Sequence, residues 1–182
     1  MRAEYAALTA GLPALAAEFG CTIGDLELVA AFTSAMERVD RELDAIVAAV
    51  DRAAFADRVT ASLQGAAAPL VELAAFNRVL VRSPAASRVT ELVAETLANT
   101  EQLRRTTDRR EYVARVEREG ALVVEMMLAL LGDDANAAFA AFLRAIAAPA
   151  NLLDKLLDAR ARWPRIPRRG ASRGGASAGS RR

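Results

Sequence analysis

Two pairs of aspartates repeat one spacing in this chain. Asp40 and Asp44 fall on one candidate helix, Asp154 and Asp158 on another, and Asn151 precedes the second pair by about one turn. Residues four apart on a helix stack on one face, so each pair can present two carboxylates to a single ligand. Oxygen groups in that pattern suit Mg²⁺, which keeps several waters and is usually held by one or two carboxylates together with substrate phosphates. Two acidic clusters facing each other across a helical cavity could therefore hold a metal-bridged diphosphate. The metal would neutralise a departing diphosphate as a carbon–oxygen bond ionises. That chemistry needs no histidine. The chain has none, which removes histidine triads, histidine metal sites and the usual imidazole acid–base catalyst.

Spacing alone leaves each pair two readings. At ~100° per residue, Glu37, Asp40, Asp44 and Asp51 lie roughly 80–140° from the centre of their helix's apolar stripe, at the border of the core. Cavity-lining acids sit there, and so do ordinary boundary ion pairs such as Glu37–Arg41 at i,i+4. On the last helix, Asn151, Asp154 and Asp158 lie almost opposite Leu152, Leu153, Leu156 and Leu157. In a simple bundle that polar face meets water. In a bundle that encloses a cavity it lines the cavity, and the leucines pack on neighbours. Arg104, Arg105, Arg109 and Arg110 surround a helix break. They could gather a diphosphate at a cavity mouth, or simply solvate two helix ends. Tyr112 opens the helix that follows, as a packing residue or as a substrate contact.

The elements that must position these residues are all helical. Residues 3–19 form a helical start with a break expected near Gly11-Leu12-Pro13, since proline removes a donor and clashes with the turn before it. Asp25 opens a long helix over residues 25–50, expected at the centre of the bundle. There Val29, Phe32, Met36, Val39, Leu43, Ile46 and Val50 recur at steps of three and four. Residues 51–63 continue it or form a short helix after a bend, ended by Gly65. Pro69 suits the first turn of the next helix, and Ser83-Pro84 suits the start of the one after it. Asp108 or Thr107 caps the helix that contains Tyr112, and Gly132 closes that helix. Asp133 places a favourable charge at the following N-terminus, and Pro149 should kink or restart the path before Asn151. The count is about seven or eight helices, with no credible strand.

Composition agrees with one all-α domain over residues 1–162. The 182 residues are 53% hydrophobic and only 5% aromatic, so alanine, leucine and valine build the core. The single Cys21 excludes an internal disulfide and fits a reducing, cytoplasmic setting. No uninterrupted apolar run reaches the ~18 residues that suggest a membrane span, and the N-terminus lacks a signal-peptide pattern. From Ala159 onward there are eight arginines and no acids, so residues 1–158 hold 16 bases against 23 acids. Of all 24 basic residues, only Lys155 is a lysine. Residues 163–182, rich in Arg, Gly, Ser and Ala, cannot bury a core and are expected to be a disordered basic tail. The tail lacks aromatic interleaving and any recognition module, so no nucleic-acid partner is expected.

The stretch Tyr112–Asp158 resembles the C-terminal half of the squalene/phytoene synthase group of class I isoprenoid synthases. A tyrosine-led helix with a central glycine, Gly120, ends at Leu131-Gly132. A further helix leads through Asn151 into Asp154-x-x-x-Asp158, and Met36–Asp44 looks like the group's first aspartate motif. The resemblance covers roughly residues 25–160. After Asp158 this chain has Arg160, Arg162 and Trp163-Pro164 where the group continues into another acidic residue and an Arg-Gly segment, and the further C-terminal helices of the group are missing. The resemblance implies an isoprenoid synthase-type bundle in the terpenoid class of transferases, with prenyl transfer or cyclisation as the reaction. It implies Mg²⁺ held by Asp40, Asp44, Asn151, Asp154 and Asp158, and a prenyl diphosphate near Arg104, Arg105, Arg109 and Tyr112. The alternative is a non-enzymatic bundle that forms a homodimer or binds a hydrophobic small molecule. On either reading the tail is dispensable for stability. Deleting residues 166–182 is expected to leave the melting temperature unchanged within about one or two degrees, as a thermal melt would show.

Overall fold

A computed structural model describes the backbone of residues 2–162 and the side chains of residues 10–157. The expected tail over 163–182 and the side chain of Asp158 lie outside the described residues. The chain is an all-α bundle. Its helices are α1 (Arg2–Glu18), α2 (Leu26–Ala45), α3 (Ala49–Leu63), α4 (Val71–Leu80), α5 (Ala86–Arg105), α6 (Arg109–Leu131) and α7 (Ala137–Arg162), with a 3₁₀ turn at Gly132–Asp134 before α7. Helix α6 packs between α5 and α7, while α2 packs on α4 and α1 and also touches α6. Phe76, Phe139, Leu73, Leu92, Leu122 and Met126 are fully buried in the core between them.

Several ends are set by the caps that the sequence suggests. Asp25 accepts from the Leu28 amide at 2.8 Å, and Asp108 accepts from the Glu111 amide at 2.8 Å. Each satisfies one of the donors that a helix start leaves unpaired. The α6–α7 connection departs from expectation. Asp133 and Asp134 lie in the 3₁₀ turn, and Asn136 caps α7 by accepting from the Phe139 amide at 2.9 Å. Asn136 also donates to the Phe19 carbonyl at 2.7 Å, and Asp134 accepts from the Gly24 amide at 2.7 Å. These bonds tie the α1–α2 link to the α6–α7 link.

Two expected breaks do not occur, and one helix ends earlier than expected. Helix α1 runs unbroken through Pro13. An interior proline costs a helix ~3 kcal/mol, and here Leu12 and Ala16 are both buried, so tertiary packing on each side offsets that cost. Helix α7 likewise runs through Pro149, held by buried Leu143 and Ala147 before it and by bonded Asn151 after it. The long central helix instead ends early. Ile46 turns extended, Val50 is exposed, and α3 starts afresh at Ala49. Arg52 stabilises this bend by donating to the carbonyls of Ile46 at 3.1 Å and Val47 at 2.7 Å and pairing with Glu101 of α5 at 3.1 Å. Its guanidinium serves the unpaired carbonyls of the α2 C-terminus, which a neutral side chain could not do as well.

The closest backbone approach is at Gly120 in α6. A Cβ built there would lie 2.5 Å from the Ala147 carbonyl oxygen and 2.9 Å from the Asn151 Cβ. Glycine is unfavourable in a helix interior by roughly 0.5–1 kcal/mol relative to alanine, so its presence here reflects contact and not propensity. Gly120→Ala is expected to destabilise the fold by about 1–3 kcal/mol despite the gain in propensity. A denaturant melt in which the variant equals or exceeds the parent would show that α6 and α7 can part freely.

Candidate functional site

A cavity of about 80 Å³ opens between α2, α5, α6 and α7. Its walls are apolar, with Phe32, Met36, Val39, Leu43, Leu97 and Met126 among them, and polar groups of Asp40, Thr100, Glu119, Asn151 and Lys155 also line it. The a/d-like spacing of Phe32, Met36, Val39 and Leu43 supplies one wall from α2, and Asp40 borders that stripe. The buried flank of α5 contributes Val93 and Leu97, one turn apart, and Thr100 follows them.

Glu119 organises the polar side. Thr100 donates to its Oε1 at 3.1 Å, while Asn151 at 3.1 Å and Lys155 at 3.0 Å share its Oε2. Asn151 donates in addition to the Val116 carbonyl at 2.7 Å. These bonds join α5, α6 and α7 through one carboxylate. Burial alone would lower the Lys155 pKa, but Glu119, then Asp40 and Asp154, outweigh it and leave the pKa raised. Lys155 is therefore a fixed cation at the cavity.

Asp40 has the opposite balance. Burial, then the neighbouring Asp44 carboxylate, raises its pKa, and Lys155 and Arg104 offset this only in part. Among the described residues none donates a hydrogen bond to it. Asp44 is instead held by Arg104 at 2.5 Å.

The structure thus brings Asp40 and Asn151 to one cavity, whereas Asp44 and its partner Arg104 do not line it. Asp154 is half-buried on α7 but does not line the cavity. Arg105 pairs with Glu101, Arg109 is exposed at the start of α6, and Tyr112 is exposed at 41%. None of these three reaches the cavity. Glu119, Lys155 and Thr100 do reach it, and spacing alone did not single them out. The available signals were Glu119 beside Gly120, Lys155 four residues after Asn151, and Lys155 as the lone lysine among arginines.

Asp158, one of the five residues expected to hold Mg²⁺, has its side chain outside the described residues. Among the described residues no three acidic, cysteine or histidine groups converge as metal ligands. Lys155 already neutralises Glu119, and Arg104 already neutralises Asp44. What the arrangement offers is a cation, an acceptor and a hydroxyl beside an apolar wall. No family model matches the chain, and neither a curated protein nor a solved structure does.

Asp40 yields a pH-dependent prediction. Its folded pKa lies above the ordinary value of 3.8, so its ionisation costs stability once the pH exceeds the folded pKa. Asp40→Asn is expected to raise the melting temperature at pH 7. That gain should shrink as the pH falls through the folded pKa and vanish below 3.8, where the parent carboxyl is protonated in both states. Melts across this range test it, and a gain that persists at the acidic end would point to packing instead of charge.

Proposed function

We propose that this bundle binds a small apolar molecule with a polar head, without needing a metal ion. The observation that supports it is the pairing of apolar walls with the Asp40, Thr100, Glu119, Asn151 and Lys155 cluster around one cavity. An apolar pocket with a few convergent polar groups is the usual form of a small-molecule site. The walls give affinity through burial, and Lys155 and Asp40 give a head group one donor and one acceptor. At about 80 Å³ the cavity is smaller than the ~150 Å³ that takes a benzene ring. A guest therefore enters as the unbranched side chains of Met36 and Met126 move, which methionine does at low cost.

A second reading is favoured by Asp40 of α2 and Asn151 of α7 meeting at this cavity, as the isoprenoid synthase resemblance implies. There the ligand is a prenyl diphosphate brought by Mg²⁺, and the chain is a transferase of terpenoid biosynthesis. One set of melts separates the two. Farnesol at a hundredfold excess over its dissociation constant is expected to stabilise the fold by about 2.7 kcal/mol without Mg²⁺, and Leu97→Trp, which fills the cavity, should remove that shift. If only Mg²⁺ with pyrophosphate stabilises the parent, and Asp40→Asn abolishes the effect, the second reading holds. No shift from either rejects both.

A further inference from the structure

The end of α7 is turned inside out. Asn151 and Lys155 face the cavity, while Leu153, Leu156 and Leu157 are 57%, 67% and 51% exposed. Pro149 and Ala150 extend this surface by a turn, and both are exposed. At ~100° per residue, residues 149, 150, 153, 156 and 157 share one ~120° sector, so the leucines form a continuous apolar strip along the helix. Immediately beyond it the sequence holds eight arginines and no acid from Ala159 to its last residue.

We propose that this leucine face docks on an anionic lipid surface, to which the arginine-rich sequence that follows α7 adds charge attraction. The two features fit one partner. A membrane interface accepts an apolar helix face to the depth of the acyl boundary, and its anionic head groups attract an adjacent polybasic segment. Stable attachment to a bilayer generally needs two such signals together, because a single modest apolar anchor gives only marginal binding. A second copy of this chain fits less well, since pairing the leucine faces would add the like charge of two acid-free arginine-rich sequences. A nucleic acid would use the arginines and leave the leucines in water. Nor does the helix cross the membrane. By length and composition Ala137–Leu157 could, but Phe139, Leu143 and Ala147 are buried in the bundle and Lys155 is held by Glu119. The helix therefore lies along the surface.

The test is co-sedimentation of the full chain with phosphatidylcholine vesicles, with and without phosphatidylglycerol. Binding is expected only where phosphatidylglycerol is present. It should weaken about tenfold in high salt, and about tenfold in the variant carrying Leu153→Gln, Leu156→Gln and Leu157→Gln. The substituted positions face solvent, so the variant should melt with the parent. Should it fail to fold, Leu156→Gln alone, at the most exposed of the three, carries the test with a smaller loss. Absence of binding to the anionic vesicles overturns the proposal. So does binding that the leucine variants leave unchanged, which would assign the attraction to the arginines alone. A lipid-free dimer of the parent that the leucine variants dissolve would also overturn it, because the face would then belong to a second copy.

Discussion

At Gly120 the backbones of α6 and α7 approach so closely that a methyl group has no room, and the rest of the site follows from that approach. The Asn151 amide comes within 2.7 Å of the Val116 carbonyl, one turn before Gly120. This is a second bond to a carbonyl in the middle of a helix, which only a neighbour drawn very near can make. With Asn151 fixed there, Lys155 arrives one turn later at Glu119, the residue beside the glycine. Thr100 then reaches the same carboxylate from α5. A larger residue at position 120 would separate the helices and weaken each of these bonds, so a single absent side chain positions the cluster.

Charge explains which carboxylates are settled and which are not. Asp44 and Arg104 meet where both side chains are partly exposed, at 42% and 29%. Such pairs contribute at most about 1 kcal/mol, so this one mainly decides where Asp44 points. Glu119 and Lys155 are more enclosed, at 12% and 26%. Removing either partner would leave the other charge poorly solvated, which costs more than the pair contributes. Asp40 receives only the long-range part of this compensation. Lys155 is committed to Glu119 and Arg104 to Asp44, so Asp40 keeps the desolvation cost and looks into the cavity.

How much of this was legible in the sequence follows from the range of each interaction. Helix existence, the Asp25 and Asp108 caps and the stop at Gly132 are local, and local patterns carried them. Pro13 and Pro149 do not break their helices, because burial on both sides of Pro13, and burial before Pro149 with the Asn151 bonds after it, outweigh a proline's local penalty. The bend at Ile46 was misread because Arg52, six residues on, binds its carbonyl. At the site, spacing does not determine which side chains turn inward: Asp40 and Asn151 line the cavity, and Asp44 and Asp154 do not. That Asp40 and Asn151 line one cavity depends on how α2 and α7 are placed around α5 and α6, a tertiary fact that spacing does not contain. Lys155, four residues after Asn151, obeys the same spacing rule, but its role depends on Glu119 of another helix.

The inverted end of α7 connects the cavity to the outer surface through helix geometry. Asn151 and Lys155 are four residues apart and both must point inward to reach Glu119. At ~100° per residue that orientation places Leu153, Leu156 and Leu157 well away from them, wherever the rest of the bundle lies. Rotating α7 to bury the leucines would carry Lys155 off Glu119 and bring the Leu153 side chain toward the Gly120 contact, where the Asn151 Cβ already stands at the limit of approach. The outward leucines are therefore a direct consequence of the polar lining of the cavity. Any partner that covers them also restrains the rotation of α7, and with it the position of Lys155 at the cavity.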